Sequence, residues 1–457
     1  VVPVVFYHAG YTTFSGGFVG VDIFFVISGF LITSIIFRDI QSQAFSYRQF
    51  YARRVRRLFP ALFSVVLASC VAAYLLLLPE ELRDFGQSVF SIVLFASNFL
   101  FWSESGYFAP AAELKPLLHT WSLAIEEQYY LVFPMFLLSV KRLSSQPYLQ
   151  WVWGLLLVSF AVSVWSVYQS PDAAFYLLPS RMWELLLGSV LAMQMPQLRS
   201  KVLAELLAWT GLGLIGLAVF GFEAGMQFPG IAALAPCLGT ALIITCGAQF
   251  QTVVTRLLSL RALVFVGLIS YSLYLWHWPI IAFTKHYLGA PLAPPTVLSV
   301  VVISVLLSIL SWRYIEQPFR GTGARLSTTA LFRSAFGVAS MLVVCGLVFD
   351  LLRGLPDRLP DAVASIAVVG HQRPVANDSC GAGQAHNTFT DSRCHLLRES
   401  QKPSILIWGD SHANVLLPAL RQSLLPLRRN AIYSVANGCA PLLSAQRIVQ
   451  RLSLIHI

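Results

Sequence analysis

The chemistry in this chain sits where ionisable side chains interrupt apolar sequence. His8 lies in Phe6-Tyr7-His8-Ala9-Gly10, and Asp22 in the apolar run from Gly20 to Thr33. A titratable group at membrane depth is costly to keep there, so each is a functional candidate. Imidazole is the usual general base for taking a proton from a hydroxyl; the plainer role for His8 is a bond to a nearby carbonyl. Arg53, Arg54, Arg56 and Arg57 follow as one basic cluster. Guanidinium forks bind phosphates bidentately, which suits a nucleotide-bearing acyl donor such as coenzyme A. The same four residues would equally anchor a helix to anionic headgroups.

Further along, His119 opens a segment that carries Glu126 and Glu127 several residues inside an apolar run. Carboxylates there call for partners, and arginines are the obvious ones; an acidic turn favoured by the helix dipole is the simpler account. Trp276 and His277, in Ser270 to Pro279, and Tyr314 and Glu316, in Tyr314 to Arg320, have the composition of an aromatic belt or of a polar pathway lining. In the last part of the chain an apolar stretch, Ser404 to Trp408, runs into Gly409-Asp410-Ser411-His412. No Cys-x-x-Cys or Cys/His spacing supports zinc, so no metal is expected.

The elements that must position these residues follow from composition. The 457 residues are 56% hydrophobic and 11% charged, with mean hydropathy +0.69, too apolar for a soluble enzyme of this size. Apolar runs long enough to span a bilayer are read near 1–14, 17–37, 59–78, 85–102, 119–140, 150–168, 175–194, 202–221, 229–247, 262–284, 296–314 and 331–352. The net charge of +10 is scattered through the intervening loops, a pattern of membrane topology rather than of nucleic-acid binding. Basic residues gather at 38–57, 141–142, 199–201, 256–261 and 313–333, which places those loops in the cytoplasm. Three runs separate 38–57 from 141–142, so one of them does not cross; 59–78 or 85–102 is expected to be re-entrant or interfacial. About eleven crossings remain, with the end of the chain outside the cell.

The expected organisation is a membrane domain over 1–330, a linking transmembrane helix over 331–352, an extension over 353–400 and a soluble region over 401–457. Cys380 and Cys394 suit a disulfide in an oxidising compartment. Val1 opens in mid-span and the last residues complete no pattern, so the chain is expected to continue at both ends.

Six blocks in order, FYHAG, GVDIFFVISGFLIT, FYARRVRRLFPAL, HTWSLAIEEQYY, SYSLYLWHWP and YIEQPFR, resemble the membrane acyltransferase-3 family, which O-acylates cell-surface polysaccharides from cytoplasmic acyl-coenzyme A. The resemblance covers nearly all of 1–330. It implies that His8 is the family's essential histidine and Arg54-Val55-Arg56 its Arg-x-Arg motif; the family's supporting arginine, eleven residues earlier, would precede Val1. The tail is similar to the first block of SGNH (GDSL-like) esterases, which implies that Ser411 is a nucleophile acylated in a covalent intermediate. The catalytic Asp-x-x-His of that family does not follow Ser411 in this sequence.

The expectation is thus a polytopic α-helical inner-membrane O-acetyltransferase with, as the resemblance implies, a partial α/β SGNH-like periplasmic domain over 401–457. It would use acetyl-coenzyme A as donor, hold no permanent cofactor, and act on a cell-envelope glycan such as lipopolysaccharide O-antigen. A glycan transporter or flippase is the rival, against which stands the absence of an internal repeat.

Overall fold

The computed structural model describes residues 1–105, 112–143, 148–223, 225–290, 292–320 and 327–360, and the backbone of two strands, 405–409 and 431–435. It divides into two units, Val1–Leu355 and Pro356–Ile457. Cys380, Cys394 and Ser411 lie outside the described residues.

The first unit is helical. Eight segments are long and apolar enough to cross a membrane. They are Gly17–Gln41, which contains α2 (Gly20–Gln41); α3 (Tyr47–Leu76); α6 (Thr120–Leu143), apolar over Thr120–Val140; α7 (Tyr148–Gln169); α10 (Lys201–Gly221); α13 (Arg261–Leu288); Pro294–Phe319, which contains α14 (Pro294–Leu310); and α15 (Thr328–Leu351). At about 1.5 Å per residue, some 20 residues match a hydrocarbon core about 30 Å thick. Shorter helices fill the rest: α1 (Val2–His8), α4 (Pro79–Val93), α5 (Ser97–Ser103), α8 (Pro171–Tyr176), α9 (Leu178–Met193), α11 (Leu234–Gln249) and α12 (Val253–Leu258).

Three runs expected as single spans are interrupted. The run near 1–14 is α1 (Val2–His8), a turn in which Gly10 takes a φ of 92°, and a short 3-10 turn over Thr12–Phe14. The run near 85–102 breaks between α4 and α5, where Phe95 takes a positive φ of 52°. The broken backbone is satisfied from α6: Gln128 Nε2 donates to the Phe95 carbonyl and to Asn98 Oδ1, both at 2.8 Å. Such backbone survives at membrane depth only where protein covers it. By contrast α3 runs unbroken for 30 residues, so of the two runs offered as non-crossing it is 85–102 that lacks a continuous helix. The run near 175–194 is likewise α8 and α9, parted at extended Leu177 just before Pro179.

Packing centres on α2 against α9. A Cβ on Gly29 would stand 1.8 Å from the Leu185 carbonyl oxygen, and one on Gly188 2.1 Å from that of Val26. Only glycine permits backbones this close, the small-residue device of helix pairs in lipid. Elsewhere α15 lies on α4 through Gly86 and Gly346, with Asp350 accepting from Arg83 Nε at 3.0 Å and from Gln87 Nε2 at 2.9 Å. In the second unit β1 (Ile405–Gly409) and β2 (Ala431–Val435) pair in parallel, Ile405 opposite Ala431 and Gly409 opposite Val435. Parallel neighbours require a crossover connection.

Gly29→Val should push α2 off α9 and destabilise the detergent-solubilised protein by about 1–3 kcal/mol, the usual cost of overpacking. Gly154→Val, where a Cβ would meet nothing within 4 Å, should leave the thermal midpoint unchanged.

Candidate active site

His8 ends α1 and meets His277 of α13: His8 Nδ1 and His277 Nε2 are 3.0 Å apart, with the rings parallel to within 9°. The second nitrogen of His277 settles the direction of this bond. His277 Nδ1 lies 3.0 Å from the Leu273 carbonyl, and a carbonyl only accepts, so that nitrogen carries the proton. In the neutral ring Nε2 is then a lone pair, and His8 must donate to it from Nδ1–H. His8 is left with Nε2 as its basic nitrogen. Trp278 fixes the ring from the side, edge-on at 4.5 Å, and its own indole N–H donates to the Lys115 carbonyl at 2.8 Å.

His119 completes a cluster of three histidines. Its ring stands 5.9 Å from that of His277 and 5.4 Å from Tyr274. Pro279 lacks the N–H that would bond the Leu275 carbonyl, and that backbone group lies within reach of the His119 ring. Neither ring nitrogen of His119 makes a hydrogen bond of normal geometry among the described residues. His8 and His119 line a cavity of about 650 Å³. Its other walls include Trp121, Phe175, Tyr176, Arg181 and Phe228.

Arg181 is buried in the cavity wall, 1% exposed, with its guanidinium 5.5–5.7 Å from the ring centres of Phe25, Trp121, Phe175 and Phe228. Its Nη1 pairs with Asp22 and Glu184, each at 3.1 Å, and both carboxylates are fully buried. Asp22 is therefore part of the site's frame. Arg181 and Glu184, three apart on α9, went unnoticed in the sequence because each reads as a lone charge in an apolar run; their i, i+3 spacing was the available signal.

From the histidines a polar stripe follows α6. His119, Ser122, Glu126 and Tyr130 recur at three- and four-residue intervals, the repeat of one helix face. Ser122 Oγ lies 2.6 Å from the Tyr274 hydroxyl, which also donates to the His119 carbonyl at 2.7 Å. Deeper in, Glu126 accepts from Ser28 and from Tyr130. Arg54 covers the Tyr130 ring at 5.4 Å and the Phe50 ring at 5.7 Å. Glu127 is half-buried beside it, within electrostatic reach of both Arg54 and Glu126.

The four arginines do not form one patch. Arg54 is buried, Arg56 half-buried, and Arg53 and Arg57 exposed; Arg53 Nη2 donates to Asp39 at 2.9 Å. Arg57 reaches toward Arg54 and Glu126, so the face it shares with Arg54 is the one turned to the stripe. Three other candidates stand apart from the histidines. Trp276 packs into a second core around Phe63, Phe85 and Leu275, because one residue along a helix turns about 100° and α13 lines the cavity with Tyr274, Trp278 and Lys285. Tyr314 is 70% exposed. Glu316 is buried and bonded to Ser272 and Arg320, tying α13 to the segment after α14. Among the described residues no group of His, Cys, Asp and Glu is arranged to hold a metal ion.

Eight apolar spans around a histidine cluster, with His119 and His277 buried and His8 half-buried at the cavity, define a multi-pass membrane protein with a polar site between its helices. More particularly, the chain belongs to the acyltransferase domain family, whose profile matches residues 2–313. A second profile, that of the SGNH domain fused to such domains, matches residues 379–453. Among similar proteins is one provisionally named peptidoglycan O-acetyltransferase YrhL, of Bacillus subtilis strain 168. It is 33% identical over 361 residues, 73% of this chain and 55% of that protein. The O-acetyltransferase OatA of Staphylococcus aureus strain NCTC 8325 is 30% identical over 339 residues, 71% of this chain and 56% of that protein. The chain thus spans a little over half the length of these relatives. No solved structure matches it.

Arg181→Met would leave Asp22 and Glu184 buried with no cation, and should cost about 3–5 kcal/mol in thermal or denaturant unfolding. In the double variant with Asp22→Asn the loss should be smaller than the sum of the single losses, since the two groups share one interaction.

Proposed function

We propose that the chain is a membrane O-acetyltransferase that takes an acetyl group from cytoplasmic acetyl-coenzyme A and delivers it across the membrane to a hydroxyl of a cell-envelope polysaccharide. The observation that carries this reading is the protonation pattern of the histidine pair: Leu273 and His277 together hold His8 with Nε2 as its free base, at a cavity. A base so fixed takes the proton of an attacking hydroxyl as the oxygen adds to the thioester carbonyl. When the tetrahedral intermediate collapses, the C–S bond breaks and the same proton passes to the sulfur. Holding donor and acceptor in one cavity makes the reaction effectively unimolecular.

The loops rich in Arg and Lys define the cytoplasmic face. Taking α1, α9 and α11 as crossings beside the eight longer spans gives eleven, and every basic loop then falls inside. On this topology the arginines of α3 face the donor's phosphates: Arg57 and Arg53 at the surface, Arg56 at its margin, Arg54 at the inner end beside Tyr130. The histidine cavity opens toward the opposite face, and the tail lies on that face too. Ser411 is proposed to receive the acetyl group there as a covalent ester before it reaches the sugar. The name of the Bacillus subtilis relative adds peptidoglycan to lipopolysaccharide as an acceptor to test.

His8→Ala in a full-length chain should lower O-acetylation of envelope glycan by about 10²–10⁴, the usual contribution of a general base. His277→Phe keeps the ring and removes the acceptor for His8 Nδ1–H; it should lower kcat with little change in KM for acetyl-coenzyme A. Arg57→Gln should do the reverse and raise that KM, measured by release of free thiol. Unchanged acetylation in His8→Ala would sink the assignment. Glycan flux with no covalent transfer of labelled acetyl would favour a transporter.

A further inference from the structure

The arginine end of α3 also carries a chain of aromatic rings. Phe45 stands edge-on to Tyr47 at 5.1 Å, Phe50 edge-on to Tyr51 at 5.1 Å, and Tyr47 and Tyr51 lie 6.4 Å apart, within 12° of parallel. Tyr47, Tyr51 and Arg54 recur at four- and three-residue intervals, so they share one face of the helix. That face meets α6. The Tyr51 hydroxyl reaches the Tyr130 carbonyl at 3.5 Å, and Arg54 covers the Tyr130 ring. Burial falls away along it, from buried Arg54 through half-buried Tyr51 to Tyr47, which is 40% exposed. Tyr47 is therefore a ring held by its neighbours and open at the rim.

Aromatic rings at a membrane face commonly seat a helix in the interface. These two continue the line of Arg54 and the polar stripe instead. The order of groups along that line is what gives them meaning. From His119 to Tyr130 the stripe covers eleven residues, about 16 Å at 1.5 Å each. Tyr47 lies seven residues, about 10 Å, before Arg54 on α3. It lies on the side away from the histidines, because Leu58, past Arg54, already accepts from Tyr271, one of the residues that lead along α13 to His277. An acyl-coenzyme A has its parts in the same order: thioester, slender pantetheine arm, pyrophosphate and, at the far end, adenine.

We propose that Tyr47, backed by Tyr51, is the stacking shelf for the adenine base of the acyl donor. This rests on the acyl-transfer reading above, in which the arginines of α3 meet the donor's phosphates. The base takes no part in bond making. Holding a portion of the donor that is unchanged through the reaction lowers KM and leaves kcat alone. A shelf of this kind needs a flat ring and makes no use of the tyrosine hydroxyl.

The test compares two donors in the full-length protein, with an envelope glycan fragment as acceptor and free thiol as the readout. One is acetyl-coenzyme A; the other is acetyl-phosphopantetheine, which keeps the thioester, the arm and a phosphate and lacks the adenosine portion. Tyr47→Ala should raise the KM for acetyl-coenzyme A about fivefold or more, the low end of base–aromatic stacking, with kcat unchanged. With acetyl-phosphopantetheine, the variant and the wild type should share one KM. Tyr47→Phe and Tyr47→Trp should behave as the wild type does with both donors. Arg57→Gln should raise both KM values, since each donor carries phosphate. A KM for acetyl-coenzyme A unmoved by Tyr47→Ala overturns the shelf. So does a rise that is equal for the two donors, the result expected of a ring that only seats α3 in the bilayer. If the wild type releases thiol from neither donor, the acyl-transfer reading itself fails and the shelf falls with it.

Discussion

One guanidinium holds the centre of this structure. Arg181 is surrounded by four aromatic rings and paired with two buried carboxylates, one on its own helix and one on α2. An isolated charge so far from water would be prohibitively expensive, so helices α2 and α9 must stay together for the group to be tolerated at all. The glycines at positions 29 and 188 make that approach possible by removing the side chains that would hold the backbones apart. Ionic pairing and close contact therefore depend on each other, and the cavity that contains the histidines inherits its wall from both.

From that wall the polar groups continue inward along one face of α6. Three residues of the stripe find partners on three different helices: Ser122 with Tyr274 of α13, Glu126 with Ser28 of α2, Tyr130 with Arg54 of α3. Buried polar groups are tolerated when they bond to one another, and here the bonding also fixes the mutual rotation of four helices. The stripe joins the arginine end of the bundle to the histidine end without leaving the protein interior.

Much of this was legible in the chain itself. Long apolar runs located the helices because lipid demands them, and His8 and His277 stood out because an ionisable side chain in such a run is rare. The break at Phe95 was only half visible, since the carboxamide that supports it, Gln128, is remote in sequence. Arg181 and Glu184 were hidden for a related reason: their meaning comes from Asp22, which folding brings to them. Trp276 was offered as a pathway residue, yet it is Trp278 that packs against His8, because a motif read as a string ignores the turn of the helix that carries it. The arginines were likewise read as one cluster, although their side chains spread from the buried to the exposed side of α3.

The stretch 112–119, which runs along α13, has a consequence of another kind. Three of its attachments end on main-chain carbonyls, at residues 114, 115 and 119, and any amino acid supplies a carbonyl. Its own side chains hold it elsewhere, Glu113 on Lys285 and Lys115 on Glu104. A lineage of such proteins could therefore change the residue at 114 and keep that attachment, while positions 113 and 115 answer for their charge.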